Sequence, residues 1–504
     1  MATPKICGIE TEYGILVTGM EMSPMTASSL LVNAYTDDGL SLRAWDFAHE
    51  RPDMDARSGW NPAAEYPEVE MLMANSVLSN GARFYVDHAH PEISTPECKS
   101  IRDVVLYDRA SEEIIRRSLS RANTRLPEGV EMRLYKNNSD GKGNSYGCHE
   151  NYLVSRHTPF GSLSRYITTH FVTRQIFTGA GKVGVEQPRE GEPRVSYQIS
   201  QRADFFEETV GLETTVRRPI VNTRDEPHCD PSQWRRLHVI VGDANMSEFA
   251  TFLKLGSTAI VLCMIEDGVF PDALVIKDPV TEIRRVSHDT SLQHALHMED
   301  GSSKTALDVQ YELLEHATHW LARLDEDPLG GDSHEIVEMW RDVLTKLDTD
   351  PDSLADTIDW IAKRRILEAM RQRHGLTLDH PRLKAIDLQY HEMNEVRGLF
   401  SKLGIRTMCN SDDILSAMSE PPVDTRAFFR GKCISTWPQS VSSANWDSVV
   451  FDVGEPTLQR IPMMDPLKGT KIHVGQLLEE CTTVNELLMR LSHDVEQVVD
   501  DPGW

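Results

Sequence analysis

Hydrophobic and polar residues alternate along the start of the chain, at residues 5–17. Alternation combined with β-branched side chains is typical of a strand, so this segment is predicted to form one. Glu10 and Glu12 lie two positions apart in it, and side chains two apart on a strand share a face. Two carboxylates on one face of an apolar strand repel each other, which indicates that they meet a cation or a basic partner.

The same kind of pattern places further elements along the chain. Strands are predicted at residues 82–88, 132–135, 150–154, 195–200, 237–241 and 448–453. Apolar residues at helical spacing predict a helix over 101–120, a buried helix over about 245–264, and mostly helical chain over 305–373. Strands followed by helices and a small final region are typical of an α+β protein built on a mainly antiparallel sheet.

The chain has 504 residues, which is long enough for more than one domain. We expect a large domain over 1–430 and a small C-terminal domain over 431–504, where Thr483 and Glu486 form a capping box that opens a last helix. Residues 46–79 are rich in Pro, Asp, Glu and Ala without a clear period, which predicts a mobile loop insertion. A plain variable insertion fits that composition equally well.

The formal net charge of −26 argues against nucleic acid or an anionic membrane as partner, because both need a basic face. The eight cysteines are scattered without a CxxC pair, which argues against a disulfide framework and favours a reducing compartment. The first residues lack an apolar signal core, and the longest strongly apolar run, 259–265, is too short to cross a bilayer. We therefore expect a cytoplasmic protein.

The usual nucleotide and nucleophile motifs are absent from the sequence. It contains no GxxxxGK[ST] loop, no protein-kinase set and no GxSxG elbow. If the chain binds a nucleotide, it must therefore do so through carboxylates, magnesium and arginines.

A set of acids and histidines lies on predicted strands or at their ends. Oxygen donors suit Mg²⁺, and an imidazole can complete such a shell. Each residue alone is better explained as an exposed acid or a hydrogen-bonded core histidine, but their joint occurrence favours a metal site. The candidates are Glu10, Glu12, Asp87, Glu92, His149 and His238.

Asp87 lies between Tyr85 and Glu92, so it is placed to orient or activate a nucleophile beside a metal. A strand-end acid that faces solvent is the alternative. His88 and His90 share a strand face, but zinc would need further ligands and none has a matching spacing. We expect these histidines to line the pocket or to form hydrogen bonds there.

Six arginines occur close together despite the acidic total. Arginine forks hold carboxylates and phosphates bidentately, so some of them are candidates for clamping ATP phosphates or a carboxylate-bearing substrate. The alternative is surface ion pairing, which we prefer for Arg217 and Arg218. The six are Arg202, Arg217, Arg218, Arg224, Arg235 and Arg236.

Several motifs resemble those of the Pup ligase and depupylase family. They are GIETEYG at 8–14, NGARFYVD at 80–87, HPE at 90–92, YKNN at 135–138, SYGCHENY at 145–152, NTRDEPH at 222–228 and RRLHVIVGDAN at 235–245. The similarity extends nearly the whole length, to WDS at 446–448 and beyond. Within the family, DHAHPE at 87–92 differs from the Asp-Val-Gly-Ser-His-Pro-Glu pattern of the ligases, which also lack an insertion like 46–79. The deamidase and depupylase branch is therefore favoured.

The resemblance implies a large glutamine-synthetase-like catalytic domain, whose curved sheet cradles ATP and magnesium, and a small C-terminal domain. Magnesium would be held by Glu10, Tyr85 and Glu92, with His149, His238 and Glu12 adding to the shell. Arg83, Thr95 and Trp446 match nucleotide contacts, and Asp87 matches the catalytic aspartate.

The resemblance also implies the reaction. Such enzymes convert the C-terminal glutamine of the small acidic protein Pup to glutamate, and they hydrolyse the isopeptide bond that joins this residue to a lysine of a tagged protein. ATP is a retained cofactor that is not consumed in each turnover, and ADP plus phosphate can substitute for it. Either Asp87 attacks or activates water, or a phosphate left from ATP attacks with the help of Asp87. An acidic substrate needs a basic groove, for which Arg202, Arg224 and His90 are the candidates.

Three alternatives remain open on the sequence. A Pup–protein ligase would form ADP in proportion to conjugate. A small-molecule carboxylate–amine ligase, similar to glutamate–cysteine ligase, would turn over free glutamate without a protein partner. A non-catalytic, nucleotide-gated module would bind Pup without changing it.

Overall fold

The computed structural model describes residues 2–35, 43–47, 50, 54–57, 73–186, 188, 195–377 and 380–499. The strands in chain order are β1 (Cys7–Glu12), β2 (Gly14–Thr18), β3 (Arg43–Trp45), β4 (Asn75–Val77), β5 (Arg83–Asp87), β6 (His90–Ser94), β7 (Glu131–Tyr135), β8 (Cys148–Ser155), β9 (Lys182–Val183), β10 (Tyr197–Gln198), β11 (Phe206–Gly211), β12 (Arg218–Asn222), β13 (Trp234–Val239), β14 (Ala295–His297), β15 (Ser303–Thr305), β16 (Val441–Ala444), β17 (Ser448–Phe451) and β18 (Gln459–Pro462).

The helices in chain order are α1 (Pro24–Ala34), α2 (Ile101–Arg125), α3 (Phe160–Thr173), α4 (Gln175–Thr178), α5 (Glu248–Glu266), α6 (Pro279–His288), α7 (Ala306–Leu321), α8 (Ser333–Thr349), α9 (Asp359–His374), α10 (Pro381–Tyr390), α11 (Ser411–Ala417), α12 (Ala427–Thr436), α13 (Lys471–Glu480) and α14 (Val484–Val499). They cover the predicted helical regions, and α2 runs five residues further than the predicted 101–120.

A ten-stranded sheet, in the order β13-β8-β1-β6-β5-β4-β3-β16-β17-β18, organises the fold. All its neighbouring pairs are antiparallel except β3 and β16, which run parallel. The predicted α+β architecture with a mainly antiparallel sheet is thereby confirmed. Because β1 lies between β8 and β6, the two acids of β1 are placed among the side chains of both neighbours.

The predicted strand over residues 5–17 is in fact two strands. β1 ends at Glu12, Tyr13 is fully buried, and β2 leaves the large sheet to pair with β7. The chain passes close to Tyr146 at this point, since a Cβ on Gly14 would lie only 2.4 Å from the Tyr146 hydroxyl. Local alternation does not contain that contact, so the single-strand prediction was wrong.

The strand predicted over residues 195–200 is also shorter in the structure. Only β10 is paired there, with β9. Ile199 N–H donates to the Ser287 carbonyl oxygen (2.8 Å), and Ser200 N–H donates to the Ser287 hydroxyl (3.0 Å). Helix α6 therefore takes the backbone bonds that a longer strand would have used.

Helix α5 passes through the protein core, as predicted. The Ser247 hydroxyl caps its start by accepting from the N–H of Ala250. By length and apolar composition alone α5 could cross a membrane, but its apolar stretch is completely buried inside the protein. A core helix passes the same test, so α5 is explained by packing.

The C-terminal strands and helices surround a second apolar core. It includes Phe428, Cys433, Val449, Phe451 and Leu487, together with Trp45 and Val77 from the first part of the chain. β16, β17 and β18 extend the large sheet through the β3–β16 pair. The division at residue 430 stays a prediction, because this second core draws on residues from both sides of it.

Candidate functional site

A cavity of about 880 Å³ is lined by residues of the ten-stranded sheet and of the loops beside it. It adjoins a smaller cavity of about 90 Å³, and Glu10, Ser94, His228, Arg236 and Trp446 line both. All the site residues that were predicted from the sequence line the large cavity, except Thr95, which lines the small one. Those around the large cavity are Glu10, Glu12, Arg83, Tyr85, Asp87, His90, Glu92, His149, Arg202, Arg224, His238 and Trp446.

Glu10, His149 and His238 form a first ligand group in the cavity. Their candidate ligand atoms all lie within 4.8 Å of one another. Glu10 Oε2 is 3.5 Å from His149 Nδ1, and Asn151 Nδ2 donates to Glu10 Oε1 at 2.8 Å. The same Asn151 has its Oδ1 3.0 Å from His238 Nδ1, so one amide positions two members of the group.

Glu12, Asp87 and Glu92 form a second group, in which one carboxylate oxygen of each residue lies within 4.8 Å of those of the other two. Glu12 Oε1 accepts from Gly147 N–H at 2.8 Å, and Glu12 Oε2 lies 3.2 Å from His90 Nδ1. Glu92 is 1% exposed, and its Oε1 has no hydrogen-bond partner among the described residues. A buried carboxylate oxygen without a donor is costly, which makes Glu92 a strong candidate for a cation ligand.

The pKa values of the three buried glutamates differ according to their neighbours. Burial and the charges of Asp87, Glu12 and Glu10 raise the pKa of Glu92 well above its usual range. Burial also acts to raise the pKa of Glu10, but the contact with His149 and the charges of His238 and Arg236 outweigh it and lower that pKa. Burial also acts to raise the pKa of Glu12, but the contacts with His90 and His149 outweigh it and lower that pKa to about 2.

The residues present fit a divalent cation. Two groups of ligand atoms open into one cavity, and the orphaned oxygen of Glu92 belongs to one of them. Tyr85 stands opposite Glu92 across the β5–β6 pair, and both line the cavity. Carboxylates with phenol and imidazole neighbours are ligands compatible with Mg²⁺.

Asp87 is the last residue of β5, immediately before the tight turn to β6. The turn consists of His88 and Ala89, and Asp87 pairs with His90 across it. His88 has a φ of 51°, which is uncommon for a residue other than glycine. The Asp87 side chain is 30% exposed, whereas those of Glu12 and Glu92 are largely buried. Asp87 is thus the most accessible acid of its group.

The candidates for nucleotide contacts lie at the small cavity and beside it. Thr95 and Trp446 line the small cavity, and Thr95 Oγ1 accepts from Ile9 N–H at 3.0 Å. Apolar residues form much of its wall, including Ile6, Ile9, Leu153, Pro227 and Pro466.

Arg83 is held in place by aromatic rings and an acid at the edge of the large cavity. Its guanidinium lies 4.0 Å from the ring centroid of Trp45 and 3.9 Å from that of Tyr85. Its Nη1 is 3.7 Å from Glu50 Oε1, and Glu50 also lines the cavity. Rings and a carboxylate around a guanidinium fix its direction, so Arg83 presents a positive charge at a constant position.

The structure divides the six clustered arginines. Arg202, Arg218, Arg224 and Arg236 line the large cavity. Arg235 instead donates to Asp225 at 3.2 Å, and Arg217 pairs with Glu208. Surface ion pairing was the right prediction for Arg217 and the wrong one for Arg218. Arg217 has a φ of 49°, so the chain turns there and its neighbour Arg218 begins β12 facing the cavity.

A family model described as "Pup-ligase protein" matches residues 5–450. The chain belongs to this family. The depupylase of Acidothermus cellulolyticus is 48% identical, over 97% of this chain and 99% of its own length. The Pup deamidase/depupylase of Mycolicibacterium smegmatis is 43% identical, over 97% and 100%. The Pup–protein ligase of Nakamurella multipartita is 40% identical, over only 81% and 90%. The predicted resemblance to the deamidase and depupylase branch is confirmed.

Two solved structures of the Pup-ligase family support the fold assignment. The complex of Pup with its ligase PafA has a TM-score of 0.80 and 31% identity, and covers 98% of this chain and 94% of that one. PafA in complex with ADP has a TM-score of 0.72 and 35% identity, over 80% and 89%. This family therefore includes a nucleotide-binding member with the same fold.

Arg236, Glu226 and His228 line the large cavity, although no specific role was predicted for any of them from the sequence. Arg236 was one of the six clustered arginines; it lies two positions before His238 on β13, and its Nη1 is 3.7 Å from Glu10 Oε1. Residues two apart on a strand share a face, so alternation pairs Arg236 with His238. Glu226 and His228 belong to a motif of the family but lie on irregular chain, where His228 has a φ of 48°.

The described part of the insertion touches the site. Glu50 lines the large cavity, and the short segment 54–57 lies along residues 223–225. Ala56 N–H donates to the Thr223 carbonyl oxygen, and Asp225 N–H donates to the Met54 carbonyl oxygen, both at 2.8 Å. Much of the predicted mobile loop, including residues 51–53 and 58–72, lies outside the described residues.

Proposed function

We propose that this chain is an ATP- and magnesium-dependent amidohydrolase that deamidates the C-terminal glutamine of Pup and hydrolyses the isopeptide bond between Pup and lysine. The observation that carries the proposal is the accessible Asp87 beside the buried Glu12 and Glu92 in one large cavity. Relatives named depupylase and Pup deamidase/depupylase, matched over 97% of the chain, support it.

Glu10, Tyr85 and Glu92 would hold Mg²⁺, with Glu12, His149 and His238 completing the shell. When bound, the ion supplies Lewis-acid polarisation of substrate oxygens and offsets the charge of the carboxylates. The histidines and Asn151 orient Glu10, while Gly147 N–H and His90 orient Glu12. This buried framework leaves Asp87 as the acid that can reach a substrate.

Asp87 would act on the γ-carbonyl carbon of the terminal residue. In one route it takes a proton from water as the water attacks, and it returns that proton to the leaving ammonia or lysine amine. In the second route its carboxylate attacks the carbon directly, the C–N bond breaks as the amine leaves with a proton from the site, and water then hydrolyses the resulting anhydride to the acid. In the third route a bound phosphate would supply the nucleophile, and Asp87 would assist the exchange of the amine for water at the same carbon. Both substrates are cleaved at the same carbon, so one site serves both.

ATP would be a retained cofactor, with ADP plus phosphate as a substitute. We propose that Trp446 and Thr95 hold the base in the small cavity, because an aromatic ring and apolar walls suit an adenine face. Arg83 would face the nucleotide from the large cavity. Arg202, Arg224 and His90 would serve the acidic substrate.

The proposal also includes the domain organisation of the protein and the compartment in which it acts. We place the catalytic domain at 1–430 with a mobile loop at 46–79, and a small C-terminal domain at 431–504. We propose that the protein acts in the cytoplasm on Pup and pupylated proteins, rather than on nucleic acid or membranes. The acidic total charge supports this choice of partners, provided that the arginine-lined part of the cavity receives the tag.

The test is a mass-spectrometric time course of Pup ending in glutamine, and of a Pup conjugate, with Mg²⁺ and ATP. We expect Pup to gain about one dalton as its terminal amide becomes an acid, and the conjugate to release free target without matching ADP. Joining of glutamate-ended Pup to lysine with equivalent ADP would instead identify a ligase, the activity named for relatives such as that of Nakamurella multipartita. Binding of Pup without any change would identify a non-catalytic module.

A further inference from the structure

Arg202 and Arg218 lie together at one wall of the large cavity. Arg202 Nη1 donates to the carbonyl oxygen of Tyr146 at 2.7 Å. Arg218 Nη2 donates to the carbonyl oxygen of Ser145 at 2.9 Å, and its Nε donates to that of Thr214 at 2.7 Å. Because Ser145 and Tyr146 are consecutive, the two guanidiniums are neighbours on the same loop.

Neither arginine of this pair has an acid partner in the part of the chain that the structure describes. Their hydrogen bonds in the described chain go to neutral carbonyl oxygens, and Arg202 Nε has no hydrogen-bond partner there. Each guanidinium also lies near a phenylalanine ring, at 5.9 Å from the centroid of Phe206 for Arg202 and 5.8 Å from that of Phe205 for Arg218.

Arg202 is 1% exposed, and arginines are rarely buried without a carboxylate. By contrast, Arg236 in the same cavity lies near Glu10 and Glu226. The pair therefore presents two positive charges to the cavity without a carboxylate among its hydrogen-bond partners in the described chain.

The electrostatics agree with this geometry. Burial, and then the charge of Arg218, lower the pKa of Arg202 to about 10. Burial also lowers the pKa of Arg218. Among acids, Glu12 acts most strongly on both guanidiniums. Since Glu12 belongs to the group that contains Asp87, the pair lies beside the reacting acid.

The pair lines only the large cavity. The residues common to both cavities, such as His228 and Trp446, lie where a nucleotide would pass from one to the other. Arg202 and Arg218 are not among them. A base held in the small cavity, as proposed above, therefore does not meet this pair, which faces a substrate anion in the large cavity that Asp87 also lines.

We propose that Arg202 and Arg218 bind the α-carboxylate of the C-terminal residue of the tag. The inference rests on the proposed function and names what the site recognises. In both proposed substrates the γ-carbonyl that reacts belongs to a chain-terminal residue, so a free carboxylate lies only a few bonds away. A side chain of glutamine inside a protein has a neutral peptide group there, and the pair would be left without its anion. The arginines thus select a chain terminus.

The experiment compares two isopeptide-linked conjugates of the tag with a lysine peptide. One has a free α-carboxylate on the terminal residue, and the other has an α-carboxamide. Release of the lysine peptide is measured for the full-length protein with ATP and Mg²⁺. Charge-assisted bonds from two arginines should make kcat/KM about 10- to 100-fold higher for the carboxylate conjugate.

Arg218→Gln is the main variant, because Arg202 is so buried that its replacement can impair folding. Arg218→Gln should remove most of the preference by lowering kcat/KM for the carboxylate conjugate, with little change for the carboxamide. Arg217→Gln is the matched control, since that side chain is 75% exposed and pairs with Glu208. Arg202→Lys keeps the charge without the fork and should lose part of the preference.

The outcomes separate the inference from the proposed function. If the parent protein cleaves both conjugates equally well, or Arg218→Gln keeps the full preference, the assignment to the α-carboxylate is overturned. If Arg218→Gln weakens ATP binding in a titration while the preference persists, the pair binds a phosphate group instead, which also overturns it. If the parent cleaves neither conjugate, the proposed function itself fails.

Discussion

Glu12 and Glu92 face each other across the β1–β6 pair, and both line the same cavity. Like charges directly opposite one another in a sheet are destabilising. The protein keeps this arrangement although Glu92 is almost completely buried. The arrangement fits the proposed magnesium site, in which a cation would bind both carboxylates, and it raises the pKa of Glu92 well above its usual range because burial and neighbouring acids disfavour the charge.

Replacement of Glu92 by Gln should make the metal-free protein more stable near neutral pH, by about 1 kcal/mol, because the amide avoids the cost of protonating this buried carboxyl or of burying its charge. The same variant should lose much of the rise in Tm that Mg²⁺ with ATP causes in the parent. Calorimetry with and without the ligands measures both effects. Glu335→Gln is the control, since that acid forms an exposed pair with Arg102. A parent-like response of Glu92→Gln to Mg²⁺ would exclude Glu92 as a ligand.

Asp87→Asn should abolish most catalysis while the fold is kept. Loss of a general base typically costs about 10²- to 10⁴-fold in rate, and a direct nucleophile costs more. The Asp87 side chain is 30% exposed and contacts His88, so little stability should change. Initial rates of amide and isopeptide hydrolysis, together with binding of Pup, test this. Equal rates for variant and parent would remove Asp87 from the mechanism.

Trp446→Ala should weaken nucleotide binding by about 1–3 kcal/mol if the indole packs on the base. The Trp446 ring has its own supports in the structure, 5.3 Å from the Trp45 centroid and 5.1 Å from the Arg430 guanidinium. Titration calorimetry with ADP measures the loss. Trp437→Phe, in the second apolar core, is the control and should reduce Tm with unchanged ADP affinity. If both variants bind ADP like the parent, the base lies elsewhere.

Glu97 should make stability depend on pH. Burial acts to raise its pKa, but Arg430 and Arg426 outweigh that effect and lower it to about 2. A folded-state pKa below the unfolded value means that Glu97 stabilises the fold above about pH 4.5, and that this contribution is lost as pH falls towards 2. The shift corresponds to at most about 3 kcal/mol.

Urea unfolding of the parent and of Glu97→Gln between pH 3 and 7 tests this. The parent should lose its advantage over the variant as the pH falls. Glu315→Gln is the control, because Glu315 is an exposed residue of α7 and should contribute little to stability at any of these pH values. A constant difference between parent and Glu97→Gln across the pH range would contradict the assignment.

The amount that sequence could predict depended on how local each feature is. Glu10 and Glu12 were placed on one face by alternation alone, and both line the cavity. The end of β1 was missed because β2 leaves the large sheet to pair with β7, which is far away in sequence. The direction of Arg218 was missed because it is set by the left-handed backbone of Arg217.

The roles of the site residues were assigned by motif resemblance rather than by the hydrophobic pattern. The motif resemblance named site residues on five strands that the fold brings to the two cavities, although the sequence did not reveal the order of the strands in the sheet. It also named Thr95, which lies just after β6. It included Glu226 and His228 in a motif but assigned them no role, and they lie on irregular chain where no period indicates a direction. A periodic sequence pattern identifies which side chains of a regular strand or helix share a face. Contacts between distant irregular segments leave no such pattern in the sequence.

The parallel pairing of β3 with β16 makes the last part of the chain a cover for an exposed sheet edge. Without β16, β17 and β18, the backbone N–H and C=O groups of β3 on that side would have no partners. An uncovered edge strand is a template for pairing with another molecule. A protein shortened before Val441 would therefore be prone to self-association through β3, next to Trp45 and the start of the insertion, and the C-terminal strands protect solubility as well as shape.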